Sequence, residues 1–435
     1  MPGGILLRNG RVIDPANGID QILDLLIVAG RISAVAQPGT LSEPTGSSRV
    51  YDLAGKWVVP GLIDMHVHLR EPGQEYKETI ATGTRAAAAG GFTAVAAMPN
   101  TKPVNDNQAV TLFILAKAAE AGFARVYPVG AISSGSAGEH LAEFGELRQA
   151  GAVAVTDDGL PVGNSQLMRR ALEYAGDHDL LVISHAEELS LSRSGAMNDG
   201  ALATRLGLQG IPHVAEEIMV YRDLALAEFT RRPIHIAHVS TRESLALIRR
   251  AKEKGVAVTA ETAPHYFTLT EMAVDGYNTL AKMNPPLRTA ADVAAVREAL
   301  RDGTLDAIAT DHAPHGGIDK DREFDLAANG IIGLETAVPL TLQLVRENQL
   351  DARRMVELLS LNPARILGVE GGTLSVGAPA DIAVIDPEKR FVFTEESILS
   401  KSKNSPFLGW DLQGKAVLTI LAGKITWLQE GDFSS

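Results

Sequence analysis

Between Gly61 and His315 the chain repeats one pattern: a short, near-continuous apolar run that ends in polar residues, followed by a longer stretch with helical spacing. The apolar runs are GLIDMHVHL, GFTAVAAMPN, RVYPVGAIS, GAVAVTDDG, LLVISHAEE, PIHIAHVST, VAVTAETAPH and LDAIATDHAPH. Segments such as ETIATGTRAAAAG and ESLALIRRAKEKG lie between them. Strands that are apolar on both faces and separated by helices are what a parallel sheet requires, and eight of them predict a closed (β/α)8 TIM-type barrel of the α/β class. In such a barrel the C-terminal strand ends converge on one mouth, where active sites sit. The polar residues of each run therefore fall where a barrel presents its chemistry.

The two ends have a different texture. From Ile5 to Val59, β-rich runs such as ILLRNGRVID and DLLIVAGRISAVA are broken by glycine and Asn-Gly turn signals, and from about Thr373 the stretches LSVGAPADIAVIDPEKRFVF and KAVLTILAGKITWL return to that pattern. Residues 1–55 and 366–435 are expected to form one small β-sandwich-like domain built from both termini. Residues 56–365, inserted between them, are expected to form the catalytic barrel.

Composition narrows the function. A chain of 435 residues with 45% apolar content can bury more than one small core. The net charge of −13 is spread along the sequence, whereas a nucleic-acid partner calls for a clustered basic surface. A small-molecule substrate is the natural expectation. Cysteine is absent, which removes disulfides and thiolate ligands, so any metal has to be held by histidine and carboxylate. No basic-then-apolar leader and no run of eighteen apolar residues stands out, and a cytoplasmic protein without membrane partners is expected.

His66 and His68 are two apart on a strand, so their side chains share a face and can chelate one ion. Such a pair can also be two hydrogen-bonded boundary residues. The other strand ends favour metal: the fourth run ends in Asp157-Asp158, the fifth in His185, the sixth in His238 and the eighth in Asp311. Four histidines and two carboxylates exceed one tetrahedral shell and suit two adjacent ions with a bridging carboxylate. Zinc is the first expectation for such donors, with manganese or cobalt also fitting. Paired ions lower the pKa of a bridging water and polarise a carbonyl, so the implied reaction is hydrolysis. Arg70, two residues beyond the pair on the same face, is expected to look into the pocket. His235, three before His238, should point to the opposite face and pack. His265 and His312 are expected to support their neighbours, and His140, His178 and His213 to be surface or structural.

At these residues the chain resembles the amidohydrolase superfamily and, within it, the bacterial dihydroorotases. The resemblance runs through PGLIDMHVHLREPG, GGFTAVAAMPNTKPV, TDDGLPV, HAE, HIAHVST, KMNPPLR, ATDHAPH, GIIGLET, NPARILG and SKSKNSPFLGWDLQGK. The HxH pair marks only the superfamily, whereas HLREPG, MPNT, MNPPLR and SKSKNSPF are more specific. Before GLET the family usually has Ala-Pro-Phe-Gly, and here Ala328-Asn329-Gly330-Ile331 stands instead. The resemblance implies that His66 and His68 hold a first metal and His185 and His238 a second, with Asp158 bridging. It implies that Asp311 is both a metal-adjacent ligand and the general base. Arg70, Asn100 and His315 would grip a substrate carboxylate, and Asn284 would contact a dihydropyrimidine ring.

The implied activity is reversible hydrolysis of dihydroorotate to N-carbamoyl-aspartate in pyrimidine biosynthesis, with one or two zinc ions per subunit and two by the ligand count. Implied partners are a second copy in a homodimer and aspartate carbamoyltransferase. The competing expectations are another cyclic amidohydrolase, an allantoinase or hydantoinase-like enzyme, and a catalytically silent scaffold. Many members of the superfamily bridge their metals with a carboxylated lysine. No lysine occurs between Lys117 and Lys252, so an aspartate has to take that place.

Overall fold

The computed structural model describes residues 4–43, 49–429 and 431–432. Strands β1 (Ile5–Asp14), β2 (Ile19–Val28), β3 (Arg31–Ala36), β4 (Arg49–Asp52) and β5 (Trp57–Pro60) come first. The barrel strands follow: β6 (Leu62–Val67), β7 (Phe92–Ala97), β8 (Arg125–Gly130), β9 (Ala154–Val155) and β10 (Leu181–Ser184). A small pair, β11 (Met197–Asn198) and β12 (Gly210–Ile211), lies in the loop beyond. The barrel resumes with β13 (Ile234–Ile236), β14 (Val258–Thr262) and β15 (Ala307–Ile308), and β16 (Ile382–Val392), β17 (Asp411–Leu421) and β18 (Lys424–Leu428) end the fold.

The eight apolar runs pair side by side in chain order from β6 to β15, all parallel. All six residues of β6 and of β7 are buried, as strands covered on both faces must be. Ile63, Met65, Ala96, Val129, Ile183 and Ala307 fill the interior of the barrel. The opposite faces of the strands meet the helices; in Arg242–Glu253, Leu245, Ile248 and Ala251 are buried at helical spacing behind a Thr241 cap. Closure is nearly complete. Between β15 and β6 there is one parallel bridge, Val67 with His312, in which His68 N–H donates to the His312 carbonyl at 2.8 Å. Asp64 completes the seam by accepting from Thr310 N–H at 3.0 Å, and burial pushes its carboxyl up to about 7.

The terminal strands form one sheet in the order β18-β17-β16-β5-β1-β2-β3, with β4 beside β1, around a core that includes Leu7, Val12, Leu25, Val58 and Ile382. Trp57–Pro60, inside the span expected for the barrel, pairs here with β1 and β16. The chain enters the barrel at Gly61, where an added Cβ would meet Thr93 Oγ1 at 2.1 Å. Residues 1–3, 44–48, 430 and 433–435 of the expected terminal domain lie outside the described residues. Among the described residues no helix is long and apolar enough to cross a membrane.

Candidate metal centre and active site

At the C-terminal ends of the barrel strands is a cavity of about 220 Å³. It is lined by His68, Arg70, Asn100, Asp158, His185, His238, Asn284, Asp311 and His315, together with Gly159, Ala313, Asn329 and Gly330. The remaining expected ligand, His66, is 1% exposed and sits with Nε2 3.3 Å from Asp158 Oδ1. Asp158 is the hub: Oδ2 lies 3.5 Å from His68 Nε2, and Oδ1 lies 3.4 Å from His185 Nδ1 and 3.5 Å from His238 Nε2. Asp311 Oδ1 lies 3.1 Å from His68 Nε2 and 3.6 Å from His66 Nε2. His185 Nδ1 and His238 Nε2 are 2.8 Å apart.

The donors fit a divalent cation. The ligand atoms of His66, His68 and Asp311 lie within 4.8 Å of one another, as do those of His66, Asp158 and His238. His66 Nε2 is buried and makes no hydrogen bond, which is costly for a polar atom unless a ligand satisfies it. The charges are complementary. Burial raises the Asp158 and Asp311 carboxyls, but the imidazoles around them outweigh it and hold both below the usual carboxylate range. Burial likewise opposes charge on His185, yet Asp158 and Glu187 push that ring up to about 10. Arg70, His238 and Asp311 all adopt positive φ, at 63°, 35° and 49°. Non-glycine residues are held so only where the surroundings over-determine them, as at functional sites.

Several residues that sequence reasoning did not assign hold these ligands. Glu261, at the end of β14, lies 2.9 Å from His66 Nδ1 through Oε1 and 3.2 Å from His235 Nε2 through Oε2. Glu187 lies 3.0 Å from His185 Nε2 and accepts from Asn284 Nδ2 at 3.0 Å, so Asn284 reaches the metal side of the cavity through it. A signal existed for both: Glu187 is two residues past His185, and Glu261 is a carboxylate near the end of β14, a strand between two ligand-bearing ones that was left without an assigned ligand. His235 is fully buried and braces Glu261; Thr259 Oγ1 is 2.8 Å from its Nδ1. His312 Nδ1 accepts from Gly333 N–H at 3.1 Å. Asp157 turns away from the cluster and accepts from the N–H and the hydroxyl of Ser133.

The other side of the cavity is cationic. Arg70 is 7% exposed, its Nε donates to the Pro314 carbonyl at 3.2 Å, and its Nη2 lies 3.2 Å from His315 Nε2. Among the described residues no carboxylate lies within ion-pair distance of it. Burial lowers its pKa to about 10, which still leaves it charged. Burial and Arg70 together push His315 down to about 2, so it is neutral. Asn100 Oδ1 lies 2.8 Å from His68 Nδ1 and joins the cationic side to the metal side.

A family model described as Dihydro-orotase-like matches residues 55–244. The chain is 59% identical over 421 residues to the dihydroorotase of Geotalea daltonii, an alignment covering 97% of this chain and 98% of that protein. It is 61% identical over 420 residues to the dihydroorotase of Desulfotalea psychrophila, again over 97% and 98%. Among solved structures, an L-hydantoinase from Arthrobacter aurescens superposes with a TM-score of 0.86 at 24% identity, over 99% of this chain and 97% of that one. That likeness carries the fold, the barrel with its terminal sheet.

Proposed function

Because the chain belongs to the dihydroorotase family, we propose that its barrel mouth opens and closes a carboxylate-bearing cyclic amide through the ten residues expected to act there. The chain is a cyclic amide hydrolase that interconverts (S)-dihydroorotate and N-carbamoyl-L-aspartate in pyrimidine biosynthesis. The observation that carries the substrate assignment is Arg70, a buried guanidinium facing the cavity with no carboxylate of the described residues within ion-pair distance, Asp311 and Asp158 acting on it only from farther away. Burying an unpaired charge is strongly unfavourable, and a ligand carboxylate relieves it.

His66 and His68 would hold one divalent ion and His185 and His238 a second, with Asp158 between them and Asp311 beside the first. We assign zinc, one or two ions per subunit, on the nitrogen and oxygen donors. When bound, such ions supply hydroxide near neutral pH and polarise the scissile carbonyl. The protein's own groups do the rest. Arg70 and neutral His315 hold the substrate carboxylate, with Asn100 beside them, and Asn284 faces the ring. Asp311, held ionised by the surrounding imidazoles, takes the proton of the attacking water and delivers it to the departing ring nitrogen. In the cyclising direction it takes that proton back from the carbamoyl nitrogen.

For domain organisation we propose 56–365 as the catalytic unit and 1–55 with 366–435 as its support, with Trp57–Pro60 lent to the terminal sheet. A homodimer is supported by helix Val214–Thr230, whose outer face leaves Ile218, Tyr221 and Phe229 exposed at 49%, 64% and 68%. A complex with aspartate carbamoyltransferase and a cytoplasmic location complete the proposal. The test is a parallel assay of zinc-loaded protein on dihydroorotate, hydantoin and allantoin. Turnover confined to dihydroorotate is expected. A preference for either neutral ring overturns the substrate assignment, and no turnover of any of them favours a scaffold.

A further inference from the structure

Asn404 lies in SKSKNSPF, a stretch that the chemistry above leaves without a role. Its side chain, 3% exposed, makes three hydrogen bonds to two separate pieces of the cavity wall. Oδ1 accepts from His315 N–H at 3.0 Å, and Nδ2 donates to the carbonyls of Ala313 and Gly330, each at 3.0 Å. Its backbone carbonyl accepts from Ile332 N–H at 3.0 Å. The segment that carries Asn404 is itself held down. Glu335 accepts from the N–H groups of Leu399 and Ser400 at 2.9 and 3.3 Å, and Glu78 accepts from Lys401 N–H at 3.1 Å.

The cationic end of the cavity is built on the 313–315 turn, through His315 and through the Pro314 carbonyl that accepts from Arg70. The facing wall is the 329–330 turn. Gly330 has φ 123°, and a Cβ there would meet Ala313 Cβ at 2.6 Å, so the two stretches are packed too closely for a side chain at 330. The two stretches meet directly where Ala313 N–H donates to the Ile331 carbonyl at 2.7 Å, and Asn404 ties them a second time from a third segment. Only a primary amide offers one acceptor and two donors at a single side-chain end, which is the set these three partners demand.

We propose that Asn404 is a positioning residue that fixes the spacing of the 313–315 and 329–330 turns and thereby the affinity of the site for the substrate carboxylate. The proposal rests on the dihydroorotase assignment and adds the C-terminal segment to the substrate site. The experiment compares zinc-loaded wild type, Asn404→Ala and Asn404→Asp for bound metal by elemental analysis and for kcat and KM with dihydroorotate. Asn404→Asp matches the native volume, keeps an acceptor for His315 N–H, and serves if the alanine variant fails to fold. Both variants should keep their metal and hold kcat within about threefold, while KM rises about tenfold or more. The aspartate should be the worse of the two, because its charge faces two carbonyls and repels the substrate anion. An unchanged KM overturns the proposal. So does a parallel loss of metal, kcat and KM, which marks a purely structural role. Failure of the wild type to turn over dihydroorotate overturns the assignment beneath the proposal, and the proposal with it.

Discussion

Glu261 Oε1 lies 2.9 Å from His66 Nδ1, and a carboxylate that, against its burial, His235 and His66 hold down to about 2 only accepts, so Nδ1 keeps its proton and Nε2, facing Asp158 and Asp311, is the nitrogen that would meet a metal. That contact sets both the tautomer and the orientation of the ring, the usual task of a carboxylate behind a metal-ligating histidine. Glu261→Gln should weaken metal affinity by about 10- to 100-fold with little change in fold, since the amide can present its N–H to Nδ1 and reverse the tautomer. Metal titration of chelator-stripped protein checks this. Affinity equal to wild type would separate Glu261 from the metal site.

Asp311→Asn should lower kcat by about two orders of magnitude or more, because an amide cannot carry the proton that a carboxylate shuttles. The fold should survive: Asp311 has φ 49°, and asparagine is among the few residues that tolerate that region. Steady-state kinetics together with a thermal melt test both halves. Near-wild-type kcat would take Asp311 out of the base role.

Arg70→Ala removes a buried charged donor remote from the scissile bond. Charge-assisted hydrogen bonds contribute about 1.5–3 kcal/mol, so KM for dihydroorotate should rise roughly tenfold to a hundredfold while kcat falls less. An unchanged KM would count against a carboxylate-bearing substrate.

The two neighbouring aspartates should behave differently. Asp158 lies within 3.5 Å of four imidazoles, whereas Asp157 accepts from Ser133 on the loop behind. Asp158→Ala should lose metal and activity together and Asp157→Ala should be milder, as read by elemental analysis and assay side by side. With no lysine between Lys117 and Lys252, activity should not respond to added bicarbonate. The reverse ranking would move the bridge to Asp157, and activation by bicarbonate would show that it is no aspartate.

The barrel and its mouth were legible because a parallel strand buried on both faces is mostly apolar until its end, so the polar residues that close each run mark the mouth. His66, Asp158, His185, His238 and Asp311 all lie at such ends. The supporting groups were harder to read. A carboxylate at a strand end looks the same in sequence whether it holds an ion, as proposed for Asp158, or a ligand's far nitrogen, as Glu261 does. Asn404 is 89 residues from His315 and 74 from Gly330, and no periodicity links such positions. Trp57–Pro60 runs on into Leu62–Val67 with only Gly61 between them, and apolar content alone does not say which of two sheets a strand joins.

The pH dependence of the metal site follows from His185. In the metal-free protein burial disfavours its charged form, but Asp158 and Glu187 outweigh burial and push the ring up to about 10, against about 6.5 for an unperturbed histidine. The folded, metal-free protein therefore holds this proton through neutral pH while the unfolded chain releases it. A raised folded-state value adds stability that is complete below about pH 6.5 and fades as pH climbs toward 10. Metal binding has the opposite sign, since only the neutral ring is a ligand and the proton has to leave. Between about pH 6.5 and 8.5 the Tm of chelator-stripped protein should fall while the rise in Tm on adding zinc grows. Titration calorimetry in two buffers of different ionisation enthalpy should read about one proton released per site that takes His185. A zinc-induced shift in Tm that stays constant across this range, with no proton released, would show that His185 does not bind the metal.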